Sequence, residues 1–445
     1  LIQTAPTLLL ATLGFLLSGK ILSYFSTWKA MSAIDELVMI VMPLLNLKGN
    51  LEMNLSARLG TSANLGDLDV PTKRRSIIVG NLALLQVQAT IVSFCAAIVA
   101  FASSRALPRM FGVHDDTSTE ELAIRAAVLG HSSGAAEFLV VASSAMCAAC
   151  LSSALLGSFM CGLVLLCRKF GLDPGEQPMR TDNIAPAVAA CLGDLVTLAL
   201  LGLISEAHLG FLRRPLVPLL IIIALALAAA CWTVVALRNS HVRPLLTKGW
   251  IPLFVAMAIS SVAGVVLDAS VERYVGFALL AVVYAGLPGA AGAIFVSRLS
   301  TALHASSGPD ASSPPDARDA TKAEAEEEWD ARPAAAAAPS ARLVLLTLAA
   351  VCACVELLLL VALRLARWLP LPPLFVSLQV PFFLLAVAVP LGIAEPMTTF
   401  LWRRGLDPDV CALPIQSAFT DLTGQLLLVA CYEVASLARM QVAAS

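Results

Sequence analysis

The sequence predicts an all-α polytopic membrane protein of about eleven transmembrane helices, arranged as two parallel five-helix repeats joined by a connector helix. Three observations carry that prediction. The chain is 58% hydrophobic and only 13% charged, with a mean hydropathy of +0.84, whereas a soluble domain carries about 25% charged residues. Its apolar residues gather into runs close to the ~20 residues that a helix needs to cross a bilayer. Short sequence markers also recur in the same order in both halves. Backbone groups cannot go unpaired in lipid, so spans are helices or closed barrels. These Leu/Ala/Val-rich runs are longer than the ~10-residue alternating strands of a barrel, which leaves helices.

Taken in order, the first repeat (residues 1–208) holds candidate spans at 5–25, 34–47, 76–102, 138–166 and 184–205. Residues 209–249 contain the connector, 215–237. The second repeat (250–445) holds spans at 250–268, 274–287, 343–365, 375–402 and 410–436. Two of these, 34–47 and 274–287, are short and run into glycine, at Leu47-Lys48-Gly49-Asn50 and Leu287-Pro288-Gly289-Ala290. A broken helix is expected at each, since non-helical backbone at membrane depth survives where it lines a cavity or is buried in protein. Residues 304–341, rich in Pro, Ser, Ala and acid, read as a disordered acidic loop that cannot bury enough apolar area to order itself. No cleavable signal pattern opens the chain. Leu1 leads almost directly into a span, so a further segment is expected ahead of it.

The repeat rests on specific markers. Ser56-Ala57-Arg58-Leu59 aligns with Val296-Ser297-Arg298-Leu299, and Gly171-Leu172-Asp173-Pro174 recurs as Gly405-Leu406-Asp407-Pro408. Gly19-Lys20-Ile21-Leu22 matches Gly264-Val265-Val266-Leu267 more loosely. Five spans end opposite to where they began, and one connector returns the chain, so both repeats point the same way. That is the geometry of a homodimer fused into one chain, expected to work as a monomer. Basic residues in the loops favour a cytoplasmic N-terminus. The net charge of −2 gives no global basic field for nucleic acid. The eleven cysteines lie mostly inside apolar runs and read as small buried residues; Cys147 and Cys150 have no second pair or His partner for a metal.

A carboxylate at a helix centre costs about 2.5–3.5 kcal/mol on insertion scales. Asp194 and Asp421 occupy such places in corresponding spans, and neither span holds a Lys or Arg to pair with them. A two-fold relation would let them face each other on the axis. Two hard oxygen anions there suit Mg²⁺, which keeps most of its waters and takes one or two carboxylates. Asp182, at the start of the span that carries Asp194, is a helix cap or an interfacial ion site. Asn50 and Glu52, after the first expected break, are candidates to line a vestibule. Gln86 and Gln88 read as hydrogen-bonding glue between helices. Glu356 and Glu395 lie deep without an assigned role. No HExxH, no GxSxG and no His–acid pair within a span points to an enzyme.

Residues 43–59 (PLLNLKGNLEMNLSARL) and 80–90 (GNLALLQVQAT) resemble signatures of solute carrier family 41, which is related to MgtE magnesium channels. Asp182-Asn183-Ile184-Ala185 with Gly193-Asp194-Leu195, and Gly249-Trp250-Ile251-Pro252, are similar to two more. The resemblance implies Mg²⁺ as the transported substrate, Na⁺ as a coupling ion and no resident cofactor. It also implies MgtE-like repeats, residence in the plasma membrane, and an acid in the fifth span of each repeat at the central ion site, matched here by Asp194 and Asp421. The alternatives are an uncoupled Mg²⁺ channel and a non-transporting Mg²⁺-sensing scaffold. The second repeat departs from the pattern, with Gly289-Ala290-Ala291 where the family has Gly-Gly-Asn.

Overall fold

A computed structural model of the protein describes residues 4–64, 68–111, 134–169, 181–246, 249–306, 341–369, 372–406 and 408–437. The first repeat comprises α1 (Thr4–Phe25), α2 (Lys29–Ala33), α3 (Asp35–Met39), α4 (Val41–Asn64), α5 (Pro71–Phe111), α6 (Gly134–Lys169) and α7 (Thr181–Leu209). The connector is α8 (Leu216–Arg238). The second repeat comprises α9 (Trp250–Val271), α10 (Phe277–Ser306), α11 (Ala341–Ala366), α12 (Pro373–Arg403) and α13 (Pro408–Leu437). Eleven of these helices have at least 22 residues, and nine are long and apolar enough to cross a membrane. The protein is thus an integral, multi-pass membrane protein, all-α among the described residues. The two long helices that fall short of that apolarity are α4 and α13, and they carry the polar residues described below.

The two repeats pack as a pseudo-two-fold pair. Helix α1 lies against α7 of its own repeat and α10 of the other; α9 lies correspondingly against α13 and α4. Two glycines bring the repeats into backbone contact. Gly19 of α1 sits on the Leu279 carbonyl of α10, and Gly264 of α9 sits on the Met39 carbonyl at the end of α3. A side chain at either glycine would collide with main chain. Small residues allow such close approach between membrane helices, and here the same device is used once in each direction.

The break in the first repeat is not at Gly49. Helix α4 runs unbroken from Val41 to Asn64, through Lys48, Gly49 and Asn50. The interruption comes earlier, at Ile34, whose backbone is extended (φ −127°, ψ 96°) between α2 and α3. Pro43 falls in the first turn of α4, where a missing N–H is harmless. Helix α10 is likewise continuous, with Pro288 inside it. Other expectations differ in extent. Helix α5 is 41 residues, roughly 60 Å at 1.5 Å per residue, and so extends beyond the bilayer core. Of the expected acidic loop, 307–340 lie outside the described residues.

Some polar residues in the apolar helices hold neighbours together. Gln86 Nε2 of α5 donates to the Cys150 carbonyl of α6 at 3.1 Å, the glue its sequence context predicts. Asn239 Nδ2, just after the connector, donates to the Ser76 carbonyl of α5 at 2.7 Å. Connector α8 is otherwise peripheral, presenting Leu220, Leu227 and Val234 outward.

Candidate cation site

Asp194 stands thirteen residues after the start of α7, and Asp421 thirteen residues after the start of α13. At 1.5 Å per residue each is about 20 Å along its helix, near the middle of that helix. The fold brings the two into electrostatic range of one another, and Glu52 and Lys48 also act on Asp194. Asp421 is buried, whereas Asp194 is half-buried.

Helix α4 fills the space between α7 and α13. Residues four apart stack on one side of a helix, so α4 offers two polar stripes. On the side facing α13, Asn50 Nδ2 donates to Asn46 Oδ1 at 2.8 Å. Asn46 Nδ2 in turn donates to Asp421 Oδ2 at 2.9 Å and to Ser417 Oγ at 3.0 Å. The relay fixes the Asp421 carboxylate and turns Asn50 Oδ1, which has no hydrogen-bond partner, into a spare acceptor. On the other side, Lys48 Nζ lies 2.7 Å from Glu52 Oε1, with both side chains fully buried. Lys48 also donates to Ser153 Oγ of α6 at 3.4 Å. Glu52 Oε2 lies against Gly193, where a Cβ would come within 2.5 Å of it. The glycine beside Asp194 thus makes room for a second carboxylate at the same level.

The counter-charge that the aspartate spans lack therefore comes from α4. Burying ions is costly unless they are paired, and Lys48 offsets part of the charge of Glu52 and Asp194. The sequence reading missed Lys48 and Asn46. Their signal was present as two interleaved i, i+4 pairs, 46/50 and 48/52, legible once the segment is read as continuous helix. Of the predicted site residues, Asp194 is in electrostatic range of Asp421 and Glu52, and Asn50 is joined to Asp421 through Asn46. Asp182 lies in the first turn of α7, with its side chain outside the described residues.

Among the described residues no group of three His, Cys, Asp or Glu side chains forms a metal cage. What the fold brings into range is a sparse set of hard oxygens, two aspartates and the partly neutralised Glu52, with the unpartnered Asn50 Oδ1 on the side of α4 that faces Asp421. Such a set suits a cation that keeps much of its water shell. The corresponding face of the second repeat is different. Under the repeat alignment, Lys48, Asn50 and Glu52 correspond to Pro288, Ala290 and Gly292. The room left at Gly292 is taken by Gln416 of α13, whose Nε2 would lie 3.2 Å from a Cβ there and donates to the Pro390 carbonyl at 2.8 Å.

Comparison with known proteins agrees with this architecture. The MgtE family model, described as divalent cation transporter, matches residues 41–204 and 281–431. The chain is 32% identical over 437 residues to solute carrier family 41 member 2 of Xenopus laevis, covering 97% of this chain and 71% of that protein. It is 31% identical over 440 residues to solute carrier family 41 member 3 of Rattus norvegicus, covering 97% and 86%. To the Homo sapiens member 2 it is 32% identical over 445 residues, covering 96% and 69%. No solved structure gives a significant match.

Proposed function

We propose, from the premise that this chain belongs to the MgtE family of divalent cation transporters, that it carries Mg²⁺ across a membrane. The path runs between the two repeats, past Asp194 and Asp421. The observation that carries this reading is the approach of those two mid-helix aspartates to within electrostatic range of one another beside α4, with Asn46 aiming one of them. Asp194 and Asp421 supply the charge that attracts the ion. Asn50 Oδ1 and Glu52 offer further oxygens, and Asp182 is assigned to the entrance of the same path. Lys48 lowers the net negative charge, so the ion is held loosely enough to leave.

A divalent ion gains or loses about 4.6 kcal/mol per 100 mV on crossing. Inward movement then needs no coupling, whereas net efflux does, and we assign Na⁺ exchange as the coupling. The protein acts as a monomer, since both halves of the ion path are in one chain, and the plasma membrane is its site of action.

The test is Mg²⁺ flux in proteoliposomes under an imposed voltage, comparing the wild-type protein with Asp194→Asn. Flux that drops more than tenfold in the variant supports the path, and its dependence on an opposing Na⁺ gradient separates exchanger from channel. Equal flux in both moves the path elsewhere. Mg²⁺-dependent stabilisation of the wild type without any flux replaces transport with sensing.

A further inference from the structure

A second buried acid lies away from the cation site, in the core of the second repeat. Glu356 is fifteen residues into α11 and ten from its end, and only 1% exposed. Gln379 of α12, also fully buried, donates Nε2 to Glu356 Oε1 at 3.1 Å. The other oxygen of each side chain, Glu356 Oε2 and Gln379 Oε1, has no hydrogen-bond partner.

An ionised carboxylate only accepts hydrogen bonds, and so does an amide oxygen. Two unsatisfied acceptors on side chains already joined by one hydrogen bond lack one thing in common, a donor. A carboxylic acid and a primary amide can join as a ring in which each donates once and accepts once. The Nε2–Oε1 bond is half of that ring, and the two unpaired atoms are the ones its other half would connect. One hydrogen on Glu356 Oε2 would satisfy both.

The surroundings favour a proton over a metal ion. The titratable groups that act on Glu356 among the described residues are Tyr284 of α10 and Cys352, one turn earlier on α11. The Tyr284 hydroxyl is already committed, donating to the Gln379 carbonyl at 3.0 Å. From α12 the group facing the acid is the neutral Gln379. On α1, which also packs against α11, Lys20 lies instead over the Trp368 ring, beyond the end of α11. A metal cation would ask for a fuller shell of oxygens than these two.

We propose that Glu356 and Gln379 form a proton-binding site in the second repeat, with one proton held between Glu356 Oε2 and Gln379 Oε1. The site is joined to α13 through Tyr284, whose hydroxyl donates to the Gln379 carbonyl. The Tyr284 carbonyl abuts Gly424 of α13, where a Cβ would lie 2.5 Å from it, and Gly424 is three residues from Asp421. Tyr284 thus touches both Gln379 and α13, and any linkage between proton occupancy and the position of α13 must act in both directions.

The test is infrared spectroscopy of the full-length protein in lipid at neutral pH, which does not depend on Mg²⁺ transport. The wild type is expected to show a protonated-carboxyl C=O stretch that shifts in D₂O and is lost in Glu356→Gln, an amide able to complete the same ring. Gln379→Met, which leaves the acid without its amide, is expected to keep that band and move it to higher frequency. It carries the test alone if Glu356→Gln does not fold. Absence of a band assignable to Glu356, or a band unmoved by Gln379→Met, overturns the proposal. So does a band abolished by adding Na⁺ or Mg²⁺, since the site would then belong to a metal ion.

Discussion

The polar positions of α4 and the corresponding positions of α10 hold equivalent places in the two repeats and do opposite things. In α4 the positions 48, 50 and 52 hold Lys, Asn and Glu; in α10 their equivalents hold Pro, Ala and Gly. Helix α4 turns an amide relay to Asp421 and a buried ion pair toward Asp194, whereas α10 has a glutamine from α13 packed into its space. A symmetric dimer would need each subunit to bring its own ligands. Fusion into one chain removes that requirement, because α4 stands between α7 and α13 and can serve both aspartates alone.

That contrast can be broken most forcefully at Lys48. Replacing it with Met strands Glu52 as an unpaired buried charge. Removing one partner of a buried pair costs about 3–5 kcal/mol, so Lys48→Met should lose about that much stability in a detergent unfolding assay. The double variant Lys48→Met with Glu52→Leu should recover most of it. If the single variant is as stable as wild type, the ion pair is not what holds that face together.

The relay offers a smaller lever. Asn46→Leu removes the donor to Asp421 while leaving the charge in place, and a hydrogen bond to a charged group contributes about 1.5–3 kcal/mol. The expected result is an Mg²⁺ affinity changed by roughly ten- to a hundredfold, read by titrating flux or thermal stabilisation. An unchanged affinity would show that Asp421 needs no aiming, and that the asymmetry between α4 and α10 is idle.

The smallest expected effect tests what the two faces still share. Gly49 and Gly289 are equivalent, and at both the space where a Cβ would go is open. In a continuous helix, alanine is favoured over glycine by about 0.5–1 kcal/mol, so Gly49→Ala and Gly289→Ala should each raise stability slightly. A loss of stability in Gly49→Ala would instead point to the broken helix that the sequence predicts there.

That broken helix is the clearest case where the sequence misleads. Gly49 and Pro288 carry the usual marks of interruption, yet both helices run through them unbroken. The real break at Ile34 falls on a β-branched residue that sequence reading takes as the start of a span. The mistake also hid Asn46 and Lys48, because a helix ending near Leu47 puts neither on a face shared with Asn50 or Glu52. Nine of the eleven long helices were legible because a hydrophobic run of bilayer length has few alternatives. Asp194 and Asp421 were legible because an acid at that depth demands a reason. The pairing of Lys48 with Glu52 is a local i, i+4 pattern, but its reach to Asp194 on another helix depends on tertiary packing.

The glycine contacts between the repeats set a constraint on how the protein is made. Gly19 rests on the carbonyl of Leu279, 260 residues later in the chain. Chains are synthesised from the N-terminus and tend to fold as they emerge, so α1 must wait in the bilayer with its glycine face uncovered until α10 has been inserted. A ribosome stalled in the connector would leave a first repeat whose smooth, close-packing surface is open to any other membrane helix. Expressing the two halves as separate chains should leave each short-lived alone and restored by the other, with pulse-chase lifetimes reporting how long the unfinished protein survives before its second half arrives.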